Sequence, residues 1–147
     1  MPSILQVLAG KGSQVWSISP EATVYAGLTM MANKNIGALL ILEDGRPVGI
    51  MSERDYARKI ILEGRSSHDT KIRSIMTTRL VKVHPSDTVE RAMELMTREH
   101  IRHLPVMDGH SVLGMVSIGD LVKATIDPTL RWLFIRIIAP RIRSRGI

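Results

Sequence analysis

The sequence predicts an α/β protein made of two βαββα units packed sheet to sheet about a pseudo-twofold axis, with an amphipathic helix added at the C-terminus. Three observations carry this expectation. Residues 15–61 lie on residues 80–126 without a gap, every matched pair 65 positions apart, so that Pro20 meets Pro85, Gly49 meets Gly114, Ser52 meets Ser117 and Asp55 meets Asp120. Both copies pass through the same order of apolar periods. A unit with one apolar sheet face and two helices cannot bury that face alone, which calls for two copies packed together. At 147 residues the chain is long enough for one globule of two half-sized units and too short for two independent domains of ordinary size.

The elements follow in order. Residues 1–62 form the first repeat, 63–70 a polar linker, 71–126 the second repeat and 127–147 a basic amphipathic tail. Each repeat opens with a short strand, over 15–19 and 80–84, the second β-rich and partly alternating. A helix comes next, with Thr23 and Thr88 as N-caps. Leu28, Met31 and Ala32, or Ala92, Met93 and Met96, recur on one face at helical spacing. Two strands joined by a tight turn come after it, 38–42 with 47–51 and 104–107 with 112–116, with Asp44-Gly45 and Asp108-Gly109 as turn chemistry. A second helix starts near Ser52 and Ser117 and runs to about Leu62 and Thr125. The linker leads into a short amphipathic turn over 71–76, whose counterpart is residues 4–8.

Composition excludes several classes. Hydrophobic residues make up 44% and charged residues 23% of the chain, the balance of a folded globule. Aromatics are only 3%, with nine Met, so aliphatic and thioether side chains must fill the core. With no Cys, disulfides, Cys-ligated zinc and thiol catalysis are ruled out. Residues 1–12 lack the pattern of a signal peptide and no apolar run spans a bilayer, which makes a cytoplasmic home the expectation. The net charge of +6 favours anionic partners.

The pattern that bears chemistry occurs twice: Gly49-Ile50-Met51-Ser52-Glu53-Arg54-Asp55 and Gly114-Met115-Val116-Ser117-Ile118-Gly119-Asp120. Each places a hydroxyl and a carboxylate on the first turn of a helix, where free N–H groups and the helix dipole favour an anion. A carboxylate accepting two hydrogen bonds suits a ribose diol. The same spacing is that of a capping box, in which Ser and Asp only satisfy the helix end. Two copies in register favour a ligand site.

With Ser-Pro-Glu-Ala-Thr-Val at 19–24, His-Pro-Ser-Asp-Thr-Val at 84–89, Ile101-Arg102-His103-Leu104-Pro105-Val106 and Ser52-Glu53-Arg54-Asp55-Tyr56-Ala57-Arg58, the chain resembles the cystathionine-β-synthase (CBS) domain family over residues 4–126. The resemblance implies a non-enzymatic regulatory or sensor module, a tandem pair binding AMP, ADP or ATP in the cleft between the repeats, with no resident cofactor. NAD(H) or S-adenosylmethionine are the alternative ligands. It further implies that Asp55 and Asp120 hold ribose hydroxyls, that Ser52 and Ser117 contact ribose or phosphate, that Ala38, Arg102 and His103 line the cleft, and that Val15, Val81 and Lys82 meet the adenine. Arg54, matched by Gly119, is expected to favour more highly phosphorylated ligands at its site. Gly37-Ala38 against Arg102-His103, and Leu40 against Pro105, make the two sites unequal.

Other signals carry less. The five His show no converging ligand pattern for a metal, and neither serine has a nucleophile-elbow context or an evident base. In the tail, Leu130, Leu133, Phe134, Ile137 and Ile138 form an apolar stripe beside Arg131 and Arg136. That stripe suits packing against the chain's own body or a homodimer partner, or an anionic membrane surface. The Arg-rich end, Arg141 to Arg145, motivates nucleic-acid binding as a further alternative. A ligand-free structural dimeriser is another. With no second domain evident in the sequence, a sensor would act on a regulated protein in trans or through the tail.

Overall fold

Each repeat is organised around a hairpin that its turn residues dictate. The computed structural model describes residues 2–12 and 14–126; the expected C-terminal helix and its arginines, residues 127–147, lie outside the described residues. Strand β1 (Ser17–Ile18) runs parallel to β2 (Ala38–Glu43), which pairs antiparallel with β3 (Arg46–Ser52). In the second repeat β4 (His103–Asp108) and β5 (Ser111–Ser117) form the matching hairpin. Asp44 and Gly45 both have positive φ, the type I′ geometry whose twist suits a hairpin. The second turn is Gly109-His110, with positive φ at Gly109 alone, as in type II′ turns. It therefore sits one residue later than the expected Asp108-Gly109.

The strand expected over 80–84 shrinks to a single parallel bridge, Val83 with Val106. In the first repeat the Leu40 N–H donates to the Trp16 carbonyl at 3.3 Å. The matching residue is Pro105, which has no N–H to donate, so that rung is lost. Val83 keeps its own two bonds, to the Pro105 carbonyl at 3.0 Å and from the Met107 N–H at 2.9 Å.

Helices α1 (Ile4–Lys11), α2 (Val24–Lys34) and α4 (Val89–Glu99) begin at side-chain caps on Ser3, Thr23 and Thr88, each typically worth about 1 kcal/mol. Asn35 and His100 end α2 and α4 in the left-handed conformation. The second helices differ between repeats. Helix α3 (Glu53–Tyr56) widens into a π-helical segment, Ala57–Ile61, whereas α5 (Ile118–Thr125) is α-helical throughout.

The compact units are not the two stretches of sequence read as repeats. Among the described residues one unit is Trp16–Leu80, and the other joins the chain ahead of Trp16 to residues 81–126. Opening helix α1 thus packs with the second repeat, and the 3₁₀ turn Ile72–Ser74 packs with the first. Backbone bonding shows the equivalence. Ile4 N–H donates to Asp87 O, Leu5 N–H to Pro85 O and Val89 N–H to Pro2 O; Ile72 N–H donates to Ala22 O, Arg73 N–H to Pro20 O and Val24 N–H to Thr70 O. Ser3 bridges Thr88 as Lys71 bridges Thr23.

Apolar burial drives this docking. Ile4, Val7 and Leu8 join Val83, Val89, Ala92, Leu104, Val116 and Leu121 in one core, while Ile72 and Ile75 join Val24, Met31, Leu39, Ile41, Met51 and Ile60 in the other. Gly49 and Gly114 make room for it. A Cβ at Gly114 would come within 2.7 Å of Leu8 Cδ2, and one at Gly49 within 2.9 Å of both Met76 Sδ and the Thr77 carbonyl oxygen. Surface pairs add little. Glu21 accepts from Lys71 at 2.9 Å and Arg73 at 2.6 Å, and Arg73 also meets Glu43. Those two cations hold the Glu21 carboxyl below its usual range.

Candidate functional site

The two strand-to-helix junctions are built alike. Ser52 and Ser117 are N-caps of α3 and α5, each paired with its Asp in a reciprocal capping box. Asp55 N–H donates to Ser52 Oγ at 3.2 Å and Ser52 N–H to Asp55 Oδ2 at 2.9 Å; the bonds of Asp120 with Ser117 are 3.2 and 2.8 Å. At the residue after each cap, Glu53 N–H donates to Gly37 O and Ile118 N–H to Arg102 O. The register sets Ala38 opposite Ser52 and His103 opposite Ser117. Ser52, Asp55 and Ala38 therefore share one junction, and Ser117, Asp120, Arg102 and His103 share the other.

The junctions differ in what else reaches the carboxylate. Asp55 is only 8% exposed. Beyond the Ser52 N–H, it accepts from Ser52 Oγ at 3.1 Å on Oδ2, and from Thr77 Oγ1 at 3.1 Å and Lys59 Nζ at 2.9 Å on Oδ1. Lys59 also donates to the Ile75 carbonyl at 2.7 Å. Both oxygens of Asp55 are committed to the fold.

At Asp120 the described donors all meet Oδ2: the Ser117 N–H, and Lys11 Nζ at 2.6 Å. The repeat register puts Ala124 where the first repeat has Lys59. The docking register puts Ala9 where it has Thr77, and the chain there continues as helix α1. Both groups that occupy Oδ1 of Asp55 are thus replaced by alanines, and Oδ1 of Asp120 faces no described donor.

Lys11 also donates to the Met115 carbonyl at 2.7 Å, which fixes it across the end of β5 and the start of α5. His103, on the neighbouring strand, is held neutral. Burial first, then the charges of Lys11 and Arg102, lower its pKa from 6.5 to about 4 against the opposing pull of Asp120. The unfolded chain therefore binds a proton between those values that the folded chain refuses, so stability falls as pH is lowered from about 6.5 to about 4. The loss amounts to at most about 3 kcal/mol. Chemical denaturation at pH 7 and pH 4.5 should show a smaller difference in His103→Gln; an unchanged difference would place the acid sensitivity elsewhere.

Of the remaining expected residues, Arg54 is exposed on the first turn of α3. Val15 lies half-buried just ahead of β1, and Val81 and Lys82 lie on the extended segment ahead of the Val83 bridge, Val81 against its core and Lys82 exposed. Lys11, Lys59 and Thr77 were absent from the expected set. Only the Asp55–Lys59 spacing of i,i+4 signals its contact in the sequence; Lys11 stands 109 residues from Asp120.

Two repeats, each a helix and a β-hairpin whose second strand runs into a Ser-capped helix with an Asp on its first turn, define a tandem α/β module. The chain belongs to the CBS domain family, which matches residues 12–62 and 72–127. It is 46% identical over 120 residues to a mitochondrial CBS domain-containing protein of Arabidopsis thaliana, a match covering 78% of this chain and 58% of that protein. The chain thus spans less than two thirds of that relative. A CBS-domain protein from Burkholderia ambifaria MC40-6 has a similar structure, with a TM-score of 0.83 and 41% identity over 85% of this chain and 94% of that one. The CBS domain pair of protein MJ0100, solved in complex with 5′-methylthioadenosine and S-adenosyl-L-methionine, shares the fold at a TM-score of 0.75 and 21% identity over 84% of this chain and 95% of that one. Among the described residues no helix is long and apolar enough to cross a membrane.

Proposed function

We propose that this chain is a non-enzymatic regulatory module that binds an adenine nucleotide, AMP, ADP or ATP, with its ribose held at the second-repeat junction. The observation that carries the reading is the carboxylate of Asp120: Oδ2 is fixed by the cap and by Lys11, and Oδ1 faces no described donor. A carboxylate placed in this way accepts a ribose hydroxyl without giving up a bond that the fold needs. Ser117 and His103 flank it on the two paired strands, and Arg102 and Lys11 supply positive charge for phosphate. The adenosine-containing ligands of MJ0100 agree with the ligand class. At the first-repeat junction the same diol would have to displace Thr77 or Lys59 from Asp55, so that junction is the weaker or structural one. Output would pass to a second copy of the chain or to a regulated partner protein.

Thermal unfolding of ligand-free protein with AMP, ADP, ATP, NAD and S-adenosylmethionine tests this. A nucleotide at 100 times its dissociation constant should stabilise the fold by about 2.7 kcal/mol, and Asp120→Ala should remove the effect while Asp55→Asn retains most of it. No response to any of the five, or a full response in Asp120→Ala, would overturn the reading.

A further inference from the structure

Lys11 lies outside the duplicated segment, yet its ammonium sits at the centre of the second-repeat junction. It bonds Asp120 Oδ2 at 2.6 Å and the Met115 carbonyl at 2.7 Å. An ammonium carries three donors, and these two bonds leave one unused among the described residues. The side chain is 37% exposed, so that donor is open to an incoming molecule. The carbonyl anchor matters, because it holds Lys11 in place whatever Asp120 does.

The junction's charge is uneven. Lys11 and Arg102 are cationic, Asp120 is anionic, and His103 is uncharged at neutral pH because burial and the two cations disfavour its protonation. With Asp120 satisfied by Lys11 on one oxygen and a ribose hydroxyl on the other, the field left over for the rest of the ligand is positive. The first-repeat junction is built differently: Lys59 comes from the helix that carries Asp55 and serves an oxygen shared with Thr77, and the docking register sets Arg79 where the second repeat has Lys11.

From this cluster we infer that Lys11 makes the second-repeat junction selective for charge at the 5′ end of the nucleoside, so that it takes a 5′-phosphorylated adenosine in preference to a neutral thioether or a cationic sulfonium of the same adenosine. The inference deepens the proposed function and rests on it. One charge pair a few ångströms apart in a partly solvated site is worth on the order of tenfold in affinity, and that is the gain Lys11 offers a 5′-phosphate on a ribose held at Asp120. A sulfonium at the same place is repelled by a similar factor.

Calorimetric titration of the full chain with AMP, 5′-methylthioadenosine and S-adenosylmethionine tests the idea, with Lys11→Gln and Lys11→Arg beside the wild type. In the wild type AMP should bind about tenfold more tightly than methylthioadenosine, with S-adenosylmethionine weakest. Lys11→Gln should cost AMP about tenfold and leave methylthioadenosine within about twofold, and Lys11→Arg should keep the AMP preference. Raising ionic strength should weaken AMP alone. Wild-type protein that binds methylthioadenosine or S-adenosylmethionine as tightly as AMP overturns charge selection and leaves the adenosine-binding reading intact, as does a Lys11→Gln variant in which AMP and methylthioadenosine weaken equally. Failure of all three to bind overturns the proposed function and this inference with it.

Discussion

Asp55→Ala will lower the free energy of unfolding by about 3 kcal/mol, and Asp120→Ala by about 1 kcal/mol. The two residues occupy matched positions, so the difference has to come from their surroundings. Removing Asp55 strands the Ser52 N–H, the Thr77 hydroxyl and one donor of Lys59 around a site that is 8% exposed. Buried donors left unpaired cost their full desolvation. Lys59 is partly exposed and can rehydrate, which keeps the loss at the low end of the range for broken buried pairs. Asp120, whose side chain is 23% exposed against 10% for Asp55, gives up a bond to Lys11 and one cap, losses that water can largely offset. Urea denaturation of both variants measures the contrast. Equal losses would mean that the two carboxylates do the same work and that no division into a structural and a binding junction exists.

Beginning the chain at Gln14 will unfold the second repeat while the first survives. Ile4, Val7 and Leu8 are buried in the second-repeat core, and truncating even one such side chain costs about 2 to 5 kcal/mol. Losing all three, with the backbone bonds of Pro2, Ile4 and Leu5, exceeds what a domain of this size can lose and still fold. Hydrogen exchange read by mass spectrometry should show protection lost over α4 and β4 but kept over α2 and β2. Full protection in both would show that α1 is dispensable. A finer version compares Ile4→Ala, at about 3 kcal/mol, with Leu5→Ala, which is 57% exposed and should stay within about 0.5 kcal/mol.

Much of this fold is legible in the residues. The constant register of the repeat locates both hairpins, Thr23 and Thr88 announce α2 and α4, and Ser-x-x-Asp marks the two junctions. The capping and binding readings of that motif turn out to be compatible, because at Asp120 the cap consumes one oxygen and leaves the other. What escapes sequence reasoning is long-range. The counterparts 4–8 and 71–76 follow a register three residues longer than that of the repeats, and pairing them in sequence does not say which core each joins, nor that Leu8 covers Gly114 as Met76 covers Gly49. The lysine that completes the second junction lies three residues beyond the 4–8 segment, and no pattern in the sequence aims it at Asp120. A lost rung at Pro105 was readable in principle, since the missing N–H is a property of the residue type, but its consequence depends on which strand lies alongside.

The two-segment unit also constrains how the molecule is made. On the ribosome α1 emerges before the mid-chain unit, and its partners Val83 to Leu121 follow that unit, some 5 to 20 seconds later at ordinary elongation rates. During that interval residues 16–80 contain everything the mid-chain unit needs, including the Ile72 and Ile75 that seal it. The 16–80 unit therefore folds ahead of the other, and α1 waits uncovered until the second repeat arrives to claim it.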